Sequence, residues 1–148
     1  MSQKEKRIIV IIITTVLILI IYSLFVYFTK IDGNPEILND FKFWGITFLI
    51  LVPISIVSQI VIQILFAIVN AAVTKEAKEE ITDERDKAIE LKSNRISHWI
   101  FTAGFLISMG TLAFGTPPYV FFISLIASGF LSSIISELVK LYFYRRGF

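Results

Sequence analysis

Cysteine is absent from the chain, and histidine occurs once, at His98. No disulfide, thiol nucleophile or thiolate metal site can form. A transition-metal site would have to be mostly carboxylate, which sets structural zinc aside. Glycine and proline are scarce, seven and four residues, and neither occurs between residues 74 and 98. The phosphate-cradling G-x-x-x-x-G-K-S/T, the dinucleotide G-x-G-x-x-G, H-E-x-x-H and G-x-S-x-G are all missing. No spacing supports a triad assembled from His98, a span serine and a loop acid. The residues therefore point to no catalytic group and no cofactor.

Apolar residue is what the chain has in excess. Hydrophobic side chains make up 55% of 148 residues, with mean hydropathy +0.77. One soluble domain of this size could not hide that much apolar surface. A hydrocarbon core about 30 Å thick takes about 20 apolar residues as helix. Four stretches qualify, at about 8–29, 43–73, 97–115 and 119–144. The first follows Lys4, Lys6 and Arg7 but is too long for a signal peptide and lacks small residues at its end, so it reads as a retained helix. The second exceeds one bilayer and must tilt or protrude, and Pro53 is expected to kink it. Gly115-Thr116-Pro117-Pro118 reads as a tight turn joining spans three and four. Trp44, Trp99, Tyr119, Tyr142 and Tyr144 fall near predicted span ends, as interfacial aromatics do.

Charge placement gives orientation. Lys4, Lys6 and Arg7 precede span one. Six basic residues lie between spans two and three, and Lys140, Arg145 and Arg146 end the chain. Only Lys30 and Lys42 fall in the first loop. Both termini inside would place twelve of fourteen basic residues in the cytoplasm. The expected fold is all-α: one membrane domain, residues 1–148, a four-helix bundle in the cell membrane with both ends cytoplasmic. An amphipathic cytoplasmic helical segment, 74–98, would join spans two and three.

Helices in lipid pack through small and polar residues. Ser124, Ser128, Ser132 and Ser136 form one stripe on span four, and Gly104, Ser108, Thr111 and Gly115 form another on span three. Close backbone contact is the preferred reading over a hydroxyl-lined solute path. Ser55, Gln59, Gln63 and Asn70 share one face of span two. Interhelical hydrogen bonds, about 0.6 kcal/mol each, account for them more simply than a permeation line. Glu137 is the one acid inside a span, with Lys140 available as partner. An intramembrane carboxylate is a functional candidate by default.

The segment 74–98 is rich in helix formers. Thr82, Asp83 and Glu84 suit a helix start. Projected at 100° per residue, Ile81, Ala88, Ile89 and Ile96 share a side with Arg85 and Lys92. Asp83, Asp86, Glu90 and Asn94 fall opposite. The first side suits a membrane surface, with cationic heads reaching phosphates. The acidic side reads as solvated rather than metal-binding. Seven acids against six bases argue against nucleic acid.

Thr82-Asp83-Glu84-Arg85-Asp86, followed by Ile89, Ser93, Arg95, Ile96 and Ser97, resembles the core motif of a family of small prokaryotic membrane proteins. That family carries T-D-E-R-D…I…S…R-I-S between its second and third predicted helices. The likeness covers about 16 residues plus the four-span layout. It implies a regulatory or immunity role without assigning one to any residue. The motif residues could equally lock the segment to neighbouring helix ends, with Arg95 or His98 reaching Glu137.

The leading expectation is a non-enzymatic accessory or regulatory membrane protein. Its 82–97 helix would meet a protein partner or the membrane surface. The alternative is an oligomeric transporter, channel or immunity-type protein using Gln59, Gln63, Asn70 and Glu137. A metal-assisted enzyme acting on lipid head groups is the least supported reading. Expected partners are the bilayer, a protein at the cytoplasmic face and further copies of the chain.

Overall fold

The computed structural model describes residues 1–74 and 82–147. Lys75, Lys78 and Ile81, which enter the sequence reading of the connecting segment, lie outside the described residues. Four helices are long and apolar enough to cross a membrane. They are α1 (Gln3–Val26), α2 (Phe41–Thr74), α3 (Glu84–Ala113) and α4 (Pro118–Arg146). Large apolar side chains such as Ile21, Leu49, Ile68 and Leu106 point away from the protein. This is a multi-pass membrane protein, with lipid as solvent for its outer faces.

Each helix end has a local cause. The Ser2 side chain caps α1 by accepting from the Glu5 N–H at 3.2 Å. α1 passes into a π-turn, Tyr27–Ile31, and Pro35–Asn39 forms a short 3-10 helix before α2. α2 runs unbroken through Pro53, and its 34 residues span about 51 Å at 1.5 Å per residue. The excess over the hydrocarbon core follows directly from that length. α3 stops at Gly115, whose φ of 74° is a left-handed conformation that costs glycine little. Pro118 then starts α4 at a position where proline's missing N–H is not needed.

The described part of the expected helical segment 74–98 runs directly into span three. Thr82 and Asp83 are not helical, and from Glu84 the chain enters α3 and stays helical to Ala113. The charged segment and the third span are one rod. Asp83 ends it with a capping box: its side chain accepts from the Asp86 N–H at 2.8 Å, and Asp86 accepts from the Asp83 N–H at 3.1 Å.

Packing runs in series. α2 lies on α1, α1 on α4, and α4 along most of α3. No comparable packing joins α2 to α3 among the described residues. The bundle is therefore open along one side. The 31–40 connection and the Gly115 turn share one end, where Trp44 stacks on Phe122 at 5.3 Å and 7°. Trp44 also donates to the Leu38 carbonyl at 2.8 Å, and the Tyr22 hydroxyl donates to the Thr47 carbonyl at 2.8 Å. Both chain termini and the start of α3 share the other end.

The small-residue stripes meet where α3 crosses α4. Ser108 is fully buried, and Ser132 and Ser136 nearly so. Ser108, Ser124, Ser128 and Ser132 each donate to a carbonyl one turn back on their own helix. Their hydroxyls are thereby satisfied without lining a path. A Cβ added at Gly104 would lie 2.5 Å from the Ser128 Cβ, so the helices touch there because glycine lacks one. Gly110, on the same helix, has open space around it. Gly104→Ala is expected to cost about 1–3 kcal/mol through overpacking. Gly110→Ala should be neutral or stabilising by up to about 1 kcal/mol. Unfolding of the two variants in mixed micelles checks the contrast.

Candidate functional site

Charge gathers at the end that holds both termini. Asp86, in the first turn of α3, is 8% exposed. Lys4 of α1 donates to its Oδ2, and the Tyr144 hydroxyl of α4 donates to its Oδ1 at 2.7 Å. One carboxylate thus joins three helices. Burial by itself would raise the Asp86 carboxyl. Hydrogen bonds from Lys4, Tyr144 and the Asp83 N–H outweigh it and hold the group down at about 2. Around this centre, Arg145 pairs with Glu5 at 3.5 Å and Arg85 donates to the Phe143 carbonyl at 3.3 Å. The Lys92 ammonium stands 4.5 Å from the centre of the Phe143 ring.

Turning Asp86 inward differs from the expected solvated acidic face. The buried stripe of this part of α3 is Asp86, Ile89 and Ser93, the last two fully enclosed. A carboxylate with three donors is better placed inside than one left to water. Ser93 closes the stripe by donating to the Glu90 carbonyl at 2.9 Å.

Beside the junction lies a cavity of about 470 Å³, lined by polar and charged groups of all four helices. Lys4, Arg7 and Lys140 bring positive charge to it, and Asp86, Glu90 and Glu137 negative charge. Glu137 accepts from Lys140 at 2.6 Å. Gln63 accepts from Arg7 at 2.6 Å, linking α2 to α1. Deeper in the open side of the bundle lies an apolar cavity of about 750 Å³, walled by Phe48, Phe101, Phe105 and Phe130 among others. Thr15, Gln59 and Ser133 line both cavities and so mark their junction. Gln59 donates to the Thr15 hydroxyl at 2.8 Å. Its Oε1, and the Ser55 hydroxyl oxygen one turn deeper, are buried with no protein partner.

The sequence-predicted residues separate into three groups. Asp86 and Ser93 are buried and structural, and Asp83 is the exposed cap of α3. Gln59, Gln63 and Glu137 line the polar cavity, and Thr82 stands at its edge while remaining exposed. Glu84, Arg85 and Arg95 are exposed, and Asn70 lies outside both cavities. Glu137 takes Lys140 as its partner. Sequence reasoning missed Lys4 and Tyr144 as partners of Asp86. They stand 82 and 58 residues away, and no local pattern links them. Among the described residues, no group of three or more His, Asp or Glu is placed to hold a metal ion. No family model, curated protein or solved structure matches this chain.

Asp86→Ala should cost about 1–3 kcal/mol, because it orphans two donors and one helix cap. Lys4 keeps 31% side-chain exposure, so its share is screened and Lys4→Met should cost less. A double-mutant cycle in unfolding free energy should show coupling above about 0.5 kcal/mol, and zero coupling would mean that the two groups do not interact. The carboxyl ionises at about 2 in the folded chain and near 3.9 when free. Its stabilisation is complete above about pH 4 and is lost as pH falls through 2. Unfolding midpoints of the wild type and Asp86→Asn, compared from pH 8 to pH 2, should converge only in that acid window.

Proposed function

We propose that this protein is a non-enzymatic accessory or regulatory component of a cell membrane, with four spans and both termini in the cytoplasm. It presents the first four turns of α3 to a protein partner at the cytoplasmic face. The observation that carries this reading is a division of labour within one helix. Asp86, Ile89 and Ser93 anchor the rod inward. Glu84, Lys87, Leu91 and Arg95 make an exposed stripe at helical spacing on the opposite side. Leu91 is 72% exposed in the middle of that stripe. The stripe offers a partner one apolar contact flanked by Glu84, Lys87 and Arg95, on an element held in place from behind.

The likeness to the T-D-E-R-D family fits this division. The motif then combines a cap, a lock and an outward surface, so its residues serve two ends at once. The transporter or channel reading draws on a different observation, the unpartnered Gln59 Oε1 and Ser55 hydroxyl. Gly104–Ser128 contact and self-satisfied serines favour packing over a path in the α3–α4 half.

Orientation has a direct test because the chain has no cysteine of its own. A single cysteine at Asn34 should react with a membrane-impermeant maleimide on intact cells. One at Ser2 should react only after permeabilisation, and the reverse pattern would place the α3 stripe outside and end the proposal. The partner surface is tested by Glu84→Ala/Leu91→Ala/Arg95→Ala, which spares the anchoring stripe. Thermal stability should stay within about 0.5 kcal/mol of wild type. Partners recovered from native membranes should fall at least tenfold, and unchanged recovery would reject the assignment.

A further inference from the structure

We propose that the two joined cavities form a binding groove for one phospholipid with a zwitterionic, amine-bearing head group of the phosphoethanolamine class. The inference is independent of the partner-presenting stripe, which lies on another face of α3. Shape is the first argument. A charged chamber of about 470 Å³ continues into an apolar chamber of about 750 Å³ through shared walls at Thr15, Gln59 and Ser133. Only an amphiphile satisfies both halves at once. The apolar half lies where α2 and α3 fail to close, so the bilayer itself has lateral access to it.

Charge is the second argument. The head chamber carries Lys4, Arg7 and Lys140 against Asp86, Glu90 and Glu137. The two signs balance. An anionic head group would meet as many repelling as attracting groups, whereas a phosphate joined to an ammonium can use both. Lys140 spends one of its three donors on Glu137, which leaves N–H groups for a phosphate oxygen. Exposed Glu90, and Glu137 beyond the one bond that its Oε1 accepts from Lys140, keep acceptor capacity for an N–H donor of the ligand. A primary ammonium supplies three, while a quaternary one supplies none and seeks an aromatic cage instead. Tyr144 is the one aromatic lining this chamber among the described residues.

Depth is the third argument. Arg7 is the last charge of α1, and Glu137, one turn past Lys140, is the last charge met on α4 toward the core, so the head chamber sits at the edge of the hydrocarbon. Gln59 and Ser55 follow Gln63 at steps of four residues, about 6 Å each. That places the unpartnered Ser55 hydroxyl below the head group, where it can donate to an ester carbonyl. Beyond it the lining is apolar, as an acyl chain requires.

The wild-type chain, equilibrated in nanodiscs of equal phosphatidylethanolamine, phosphatidylglycerol and phosphatidylcholine with matched acyl chains, is the material for the test. Released into gentle detergent and weighed by native mass spectrometry, it should retain one phosphatidylethanolamine per chain. Preference over each competitor should be about tenfold, equivalent to about 1.4 kcal/mol. Gly129 lines the apolar chamber with open space where its Cβ would be. Gly129→Leu therefore fills the groove without a clash and should cut retention at least tenfold while leaving the thermal midpoint unchanged or raised. Ser133→Leu, exposed at the junction, should repeat the effect if Gly129→Leu fails to express. Glu137→Gln should lower the preference for ethanolamine over glycerol at least threefold. No retained lipid, equal retention of all three, or retention that survives both groove-filling variants would overturn the proposal. So would a groove occupied by a second copy, revealed by a dimer that Gly129→Leu converts to monomer.

Discussion

A single buried carboxylate decides how this protein holds together at its charged end. Asp86 accepts from Lys4, from Tyr144 and from its own helix cap. Remove it and α1, α3 and α4 lose their common point. Among the described residues no such carboxylate joins the opposite end, where aromatic stacking of Trp44 on Phe122 and hydrogen bonds to carbonyls do the joining. The difference follows from the solvent. At the charged end ions can be brought together from water at modest cost, and a carboxylate with three donors recovers what burial takes. At the other end the chain offers few charges, and flat apolar rings suit an interface better.

The lock also explains why the charged segment is part of the third span. A capping box at Asp83 starts the helix, and Asp86 is at once the third residue of that box and the ligand of Lys4. Local and tertiary demands coincide on one side chain. That coincidence fixes the rotation of α3 about its own axis. Asp86, Ile89 and Ser93 must point inward, and Glu84, Lys87, Leu91 and Arg95 outward. The rotation in turn sends Glu90 to the rim of the polar chamber and Phe101 and Phe105 to the apolar one.

Much of the architecture was legible in the residues. Apolar length defined four spans, Gly115 and the two prolines defined the last turn, and small-residue spacing pointed to the α3–α4 contact. These signals are local or periodic, and a helix in lipid has few alternatives to obeying them. The helical projection failed in one respect. It ranked Asp86 with Glu90 and Asn94 as solvated, because hydropathy counts a carboxylate as polar whether or not donors await it. Lys4 and Tyr144 carry no mark in the sequence that assigns them to Asp86. The open side between α2 and α3 was equally hidden, since it depends on which helices touch rather than on what each contains. The polar cavity was half visible: Gln59, Gln63 and Glu137 stood out as costly in lipid, while Thr15 and Ser133 did not.

The series order of the helices bears on how the chain is made. Asp86 emerges from the ribosome long after Lys4 but 58 residues before Tyr144. During that interval its carboxylate holds one partner of the two that flank it in the finished fold. The third helix therefore lacks its final rotational setting until the fourth has entered the membrane beside it. Gly104 and Ser128 can zip only then as well. The last two helices arrive as a hairpin whose final residues complete an attachment to the first. A chain cut short before Tyr144 leaves Asp86 without one of its donors and the third helix without its tie to the fourth at this end.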